Sequence, residues 1–474
     1  MMKIETTPRL DNEQIERNFR EIAPAMTEAE AYFEANRCLY CFDAPCTRAC
    51  PTHIDVPAFI KKIASGNLTG SARVIFDANP IGATCARVCP VDVLCEGACV
   101  EGTLMEKPIE IGRLQRYATD YAMREGREVL RAGESNGKSV GIIGSGPAGL
   151  SCATYLARLG YAVTIYDRKS LAGGLDTYGM AEYKMPQKVS TDEAAMVERL
   201  GVQFRMNTEI GRDISLDELE KSHDAIFIGA GLGATAKLGI PGEDLEGVYD
   251  ALEFIERIKT RDWQSVPIGR TVAVVGAGNT AIDAVTQAKR LGAERVLMIY
   301  RRSEREMPAY AYEYELAKKD AIEFWWQTSP VEILSHESNS HVAAIRCVRM
   351  EMTEPDATGR RSASPVPGSE FDIPVDMVVK ALGQTKQREF FSSINGLELD
   401  GAGRVVVNKE SMQTGNPKYF AGGDCVNGGR EAVDASQMGK LAAQGIHQSL
   451  TGERVEFAGA RIPIMEETQD IKAH

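Results

Sequence analysis

SVGIIGSGPAGLSCATYLARLGYAVTIYDR, residues 139–168, is the stretch on which the fold turns. An apolar run, VGII, enters a glycine turn; a helical stretch follows, and a second apolar run, VTIY, ends on Asp167. Strand, glycine turn, helix and strand in that order make a dinucleotide-binding unit. Gly144 permits the tight turn, Gly146 lets backbone approach a pyrophosphate at the helix N-terminus that Pro147 and Ala148 open, and Gly149 lets helix and strand pack closely. Asp167 stands where an acid accepts ribose hydroxyls.

The pattern recurs at residues 271–302, TVAVVGAGNTAIDAVTQAKRLGAERVLMIYRR, with Gly276, Gly278 and Ala281 in the fingerprint positions and Asn279 and Thr280 opening the helix. Here the following strand ends in Arg301-Arg302 instead of an acid, and guanidinium groups suit a 2′-phosphate. DMVVKALG at 376–383 and KYFAGGDCVNGG at 418–429 each run a strand into a glycine turn. They are expected to return to the first unit, so that the second is inserted in it.

Eight of the eleven cysteines fall between residues 38 and 99, which marks chemistry rather than packing. They are spaced Cys38-x2-Cys41-x4-Cys46-x3-Cys50-Pro51, Cys85-x3-Cys89-Pro90 and Cys95-x3-Cys99. Disulfides are rare in a reducing cytosol, and this spacing fits two 4Fe-4S clusters; tetrahedral zinc is the alternative, because C-x2-C also opens zinc ribbons. On spacing alone Cys85 reads as a ligand and Gln115 as a helix-surface residue. The cysteine region continues in short apolar-periodic pieces broken by Gly and Pro, and residues 12–36 are expected to be helical.

The expected fold class is therefore α+β multidomain: an N-terminal α-helical iron–sulfur domain (1–135), a discontinuous Rossmann-like domain (136–264 and 376–474) and a second Rossmann-like domain (265–375) inserted in it. Residues 452–474 read as a loosely docked tail. With 54 basic and 67 acidic residues the net charge is −13, the wrong sign for a nucleic-acid binder. The first 20 residues carry charge throughout, and no stretch approaches a membrane span, so a cytoplasmic protein is expected. No C-x2-C or C-x4-C pair lies near the glycine fingerprints, which argues against a disulfide reductase.

RCLYCFDAPCTRACPTHIDVPAFI (37–60), NPIGATCARVCPVDVLCEGAC (79–99) and PIEIGRLQRYATD (108–120) resemble the N-terminal part of dihydropyrimidine dehydrogenase. The resemblance spans nearly the whole chain. It implies one 4Fe-4S cluster on Cys38, Cys41, Cys46 and Cys99, and another on Cys50, Cys89, Cys95 and Gln115, leaving Cys85 a spare. It also implies FAD at the first fingerprint, held with Gly174 and Leu175 of the GGL turn and with Gly423 and Asp424, which resemble a distal flavin motif. Lys184 aligns with a basic flavin-site residue of that family, while on the residue pattern an ordinary surface lysine is an equal alternative. NAD(P)H would lie at the second fingerprint, with Ala381, Leu382 and Gly383 approaching the nicotinamide. The arginine pair points to NADPH, whereas likeness to the bacterial two-subunit enzymes points to NADH.

Neither an FMN-binding barrel nor a C-terminal ferredoxin module of the kind the long dihydropyrimidine dehydrogenases carry is expected in this chain. The expectation is thus an FAD subunit in a hetero-oligomer, passing electrons to an FMN-containing dihydropyrimidine dehydrogenase subunit with ferredoxin-like clusters that reduces uracil or thymine. The glutamate synthase small subunit is the alternative.

Overall fold

The structure, a computed structural model, describes residues 9–105, 107–336, 340–355 and 361–458. The chain forms two compact units. One comprises residues 23–177, 188–232 and the segment from 386 onward; the other comprises the segment up to 22 with 178–187 and 233–385.

In the larger unit the cysteine region is helical. Thr27 opens the helix Glu28–Arg37 with a capping box, its hydroxyl accepting from Glu30 N while its own N–H donates to the Glu30 carboxylate at 2.8 Å. The helices Val56–Ala64, Leu68–Ala78 and Ile111–Arg124 turn Phe59, Ile60, Ile75 and Leu114 into a common core. The same unit holds a parallel sheet in the order Tyr419–Ala421, Ala225–Ile228, Ser139–Ile143, Ala162–Tyr166 and Gln203–Arg205. Its central strands are apolar without alternation because both faces are covered.

The other unit has a parallel sheet ordered Val248–Asp250, Met377–Lys380, Thr271–Val275, Arg295–Ile299 and Glu323–Trp325. A four-stranded antiparallel sheet of Thr328–Ser335, Val342–Met352, Ala363–Pro365 and Phe371–Pro374 completes it.

Three expectations are corrected. Strand Met377–Lys380 does not return to the first sheet: it pairs with Thr271–Val275, where its apolar Met-Val-Val is covered on both faces, and only the 418–429 segment returns. The main segment of the nucleotide unit accordingly runs from 233 to 385 rather than from 265 to 375, and 178–187 joins it. The helix expected over 12–36 is two, Asn12–Asn18 and Glu28–Arg37, because Pro24 cannot donate a helical hydrogen bond. The first of these belongs to the nucleotide unit and not to an iron–sulfur domain of 1–135; Ile15 and Phe19 enter its core, and Phe19 stacks on Trp263 at 4.8 Å. Of the tail, residues 459–474 lie outside the described residues.

The chain passes between the units five times, after residues 22, 177, 187, 232 and 385; the last two crossings lie close together. Next to these crossings the two segments pair antiparallel, through Gly233 N to Thr385 O and Thr385 N to Ala234 O, each 2.8 Å.

Candidate functional site

The first glycine turn is built by close backbone contact. Gly144 has φ +100°, and a Cβ there would lie 2.4 Å from the Gly229 carbonyl oxygen; one on Gly149 would lie 2.0 Å from the Gly144 carbonyl oxygen. Gly146 caps the 12-residue helix Pro147–Arg158, so the helix's first N–H groups stay unpaired and face the turn. A Cβ on Gly174 would come within 2.8 Å of Gly146 Cα, and one on Gly423 within 3.1 Å of Ala148 Cβ. The three sequence motifs therefore meet at one helix N-terminus. Asp167 Oδ2 accepts from Ser145 N (2.8 Å) and Ser145 Oγ (2.6 Å), which ties the acid to the turn. Burial holds the Asp424 carboxyl above the ordinary carboxylate range, against the Arg430 backbone N–H that favours its ionisation. Leu175 opens a one-turn helix and is partly exposed.

At the second fingerprint, Gly276 has φ +133° and a Cβ there would sit 2.2 Å from the Ala381 carbonyl oxygen, so Ala381 lies directly against the turn. Gly278 caps the helix Asn279–Arg290 and faces open space. Asn279 Oδ1 accepts from Tyr310 N at 3.1 Å; Thr280 is half-buried and Ala281 buried. Arg301 is exposed and Arg302 half-buried just past the strand Arg295–Ile299, and neither makes an ion pair among the described residues. Leu382 and Gly383 are exposed.

Lys184 is not a surface lysine. Its ammonium is ion-paired with Asp283, on the helix of the second fingerprint, and with Glu313, and all three are largely buried within the nucleotide unit. Burial raises the Glu313 carboxyl while Lys184 pulls it back down. Residue pattern did not point to Asp283 or Glu313; in a helix of apolar periodicity, Asp283 within IDAVTQA is the one available signal.

Cys38, Cys41, Cys46 and Cys99 line one pocket whose walls include Val56, Ile60, Ile109 and Ile111. Burial pushes the Cys46 thiol up to about 12, with Cys99 adding to the rise, and it raises Cys38 likewise. Cys50, Cys89 and Cys95 form a second group. Cys89 is raised by its contact with Cys85 and by burial, with Cys50 and Cys95 adding; Cys95 is raised by burial and then by Cys50. Thiols held this far from ionisation become thiolates when a metal replaces their protons. Gln115 is buried, and Nε2 donates to Gly82 O at 2.7 Å, leaving Oε1 as the end free to act as a ligand. Two thiol groups in apolar surroundings, with a buried carboxamide tethered to the start of the helix that leads to Cys89, fit iron–sulfur chemistry. Among the described residues no three Cys, His, Asp or Glu side chains converge closely enough for a single ion such as zinc. Cys85 is buried beside Cys89 in a core cluster of the larger unit that also holds Cys152; Cys425 is buried in a second cluster of that unit and Cys347 in the core of the other unit.

Two buried charges escaped the sequence patterns. Glu193 accepts from Ala83 N (2.7 Å), Thr84 N (3.1 Å) and Thr84 Oγ1 (2.5 Å), at the start of the helix that carries Cys85, and burial raises its carboxyl to about 7. Lys440 lies fully buried near Cys50.

A thiol-lined helical region joined to paired nucleotide-binding folds defines a flavin- and iron–sulfur-containing pyridine-nucleotide oxidoreductase. Residues 15–127 match the family described as dihydropyrimidine dehydrogenase domain II, 4Fe-4S cluster, and residues 138–439 match the pyridine nucleotide-disulphide oxidoreductases, to which the chain belongs. The chain is 38% identical over 443 residues to the glutamate synthase (NADPH) small chain of Escherichia coli K12, covering 90% of this chain and 93% of that one. It is 32% identical over 432 residues to the NAD-dependent dihydropyrimidine dehydrogenase subunit PreT of the same organism, covering 91% and 97%. It is also 36% identical over 431 residues to the NADP(+)-dependent formate dehydrogenase subunit beta of Moorella thermoacetica, covering 86% and 60%. Among solved structures, Mycobacterium tuberculosis FprA in complex with NADPH superposes with a TM-score of 0.53 at 19% identity, over 67% of this chain and 87% of that one. Thermoplasma acidophilum thioredoxin reductase does so with 0.50 at 21%, over 66% and 99%; at such identities the likeness shows the fold.

Within its family the chain is a glutamate synthase small-chain-like electron-transfer oxidoreductase that uses NAD(P)H, FAD and 4Fe-4S clusters. Among the described residues no helix is long and apolar enough to cross a membrane.

Proposed function

We propose that the chain is the electron-entry subunit of a hetero-oligomeric dihydropyrimidine dehydrogenase, passing electrons from NAD(P)H to an FMN-containing partner subunit with ferredoxin-like clusters that reduces uracil or thymine. The observation that carries this reading is Gln115: buried, and tethered through Nε2 to Gly82 O at the start of the helix Gly82–Val88 that ends on Cys89. That is the environment a carboxamide ligand needs, and the resemblance to dihydropyrimidine dehydrogenase assigns one at this position. Cys38, Cys41, Cys46 and Cys99 would hold one cluster, and Cys50, Cys89, Cys95 and Gln115 the other.

When bound, FAD supplies two-electron acceptance with one-electron release, and the clusters carry single electrons. The chain's own residues bind and orient. The free N–H groups after Gly146 and after Gly278 would receive the pyrophosphates, and Asp167 would accept the ribose hydroxyls of the first nucleotide. Arg301 and Arg302 stand at the end of the strand beside the second turn, where a 2′-phosphate would be met.

A second reading, the small subunit of a glutamate synthase, is favoured by the 38% identity to that small chain over most of both lengths. The test is reconstitution. The purified chain is expected to oxidise NAD(P)H with an artificial acceptor, to form no dihydrouracil alone, and to do so when the FMN partner is added. Dihydrouracil formation by the pure chain would refute the proposal, and coupling only to a glutamate synthase large subunit would replace it with the second reading.

A further inference from the structure

Lys440 lies on the helix Ala432–Thr451, which follows the Gly423-Asp424 turn, and its side chain is completely buried. Its ammonium donates to two backbone carbonyls, Thr52 O at 3.0 Å and Ala458 O at 3.1 Å, and stands 5.6 Å from the centre of the Tyr155 ring. No carboxylate pairs with it among the described residues. Asp77, the nearest acid to influence it, is itself ion-paired with Arg158. Lysines are almost never fully buried without a counter-charge, because desolvating an unpaired ammonium costs several kcal/mol. Among the described residues the fold therefore holds a buried ammonium, which burial lowers to about 7, without the balancing anion that would keep it charged.

That anion has an evident source. Thr52 is buried two residues beyond Cys50, its Oγ1 lies 3.3 Å from Cys50 Sγ, and its carbonyl holds the lysine. A thiolate-ligated cluster at Cys50 is anionic and becomes more so on accepting an electron. A cation held beside it in a low-dielectric interior stabilises the reduced form more than the oxidised one.

We propose that Lys440 is the counter-cation of the cluster held by Cys50 and that it raises that cluster's reduction potential, so that electrons leaving the flavin side are drawn to it. Lys440 is a positioning residue for charge, not a ligand. The inference rests on the ligand assignment under Proposed function.

The test is an anaerobic EPR-monitored redox titration of the full chain with Lys440→Gln, Lys440→Met and Lys440→Arg, alongside iron, sulfide and FAD content. Glutamine keeps donors for the two carbonyls and methionine keeps the volume, but both remove the charge; arginine keeps it. The neutral variants are expected to lower the midpoint of one cluster by about 59 mV or more, a tenfold change in its one-electron equilibrium, leaving the other cluster unmoved. Lys440→Arg is expected to retain most of the wild-type value. Selective loss of that cluster in both neutral variants but not in Lys440→Arg supports the same conclusion. Unmoved midpoints with full iron, or Lys440→Arg failing together with the neutral variants, would overturn the proposal in favour of a packing role. A wild-type chain holding only one cluster would instead overturn the ligand assignment.

Discussion

The carboxamide of Gln115 separates its two ends: Nε2 is committed to Gly82 O at 2.7 Å, so only Oε1 is left for a metal. Leucine at 115 keeps the apolar volume but offers neither end. Gln115→Leu is therefore expected to cost one cluster, about four of eight irons per chain, whereas Cys85→Ser should keep all eight. Iron and sulfide analysis checks this, and iron loss in Cys85→Ser without loss in Gln115→Leu would reverse the assignment. The arginine pair offers a similar single-residue test. Arg301 and Arg302 make no ion pair among the described residues, so their charge is available to a ligand. Two charge-assisted contacts to a 2′-phosphate are worth roughly 3 kcal/mol, so replacing both by alanine should lower kcat/KM for NADPH on the order of 100-fold and spare NADH. An unchanged ratio of the two would make them bystanders. The arginines were legible in the residues themselves and Gln115 only through the resemblance, while burial was legible for neither Gln115 nor Lys184: residue pattern reads the first as a surface glutamine and leaves the second open between a surface lysine and a flavin-site residue until the packing is seen.

At the scale of elements, the two glycine turns share a pattern but differ in what surrounds them. A Cβ on Gly149 would overlap the Gly144 carbonyl oxygen at 2.0 Å, whereas one on Gly278 meets nothing within 4 Å. Gly149→Ala is expected to cost about 1–3 kcal/mol of overpacking and at least tenfold in FAD affinity. Gly278→Ala should leave thermal stability unchanged and raise KM for NAD(P)H, since its methyl group would stand where the backbone meets pyrophosphate. Equal effects on stability would contradict this. The helix Gly82–Val88 is held at its start by Glu193, whose carboxyl is raised from 4.5 to about 7 chiefly by burial. A raised folded-state pKa means the stabilisation is complete below about pH 4.5 and is lost as pH rises through about 7. The melting temperature of the wild type relative to Glu193→Gln should fall between about pH 5 and about pH 8, and a flat difference would show that Glu193 ionises freely. No sequence pattern marks Glu193, because the partners at 83 and 84 are about 110 positions away.

At the scale of the whole molecule, sequence alone determined the classes of structure and chemistry. Glycines at fixed spacing between apolar runs have one common purpose, and eight clustered cysteines have few, because both signals are local and each position is constrained by backbone geometry or by ligand type. The division of the chain was decided by the fold. The apolar Met-Val-Val of strand Met377–Lys380 names a buried parallel strand but not its sheet, and its place between Val248–Asp250 and Thr271–Val275 depends on packing that no local pattern carries. Residues 9–22 lie next to the cysteines in sequence, yet Ile15 and Phe19 find their apolar partners near Phe254 and Trp263. The buried charges belong to tertiary structure as well: Lys184 with Asp283 and Glu313, Glu193 at a helix start, and Lys440 beside the Cys50 loop. A charge can be kept out of water only when distant segments surround it and satisfy its hydrogen bonds, so its role comes into being with the fold.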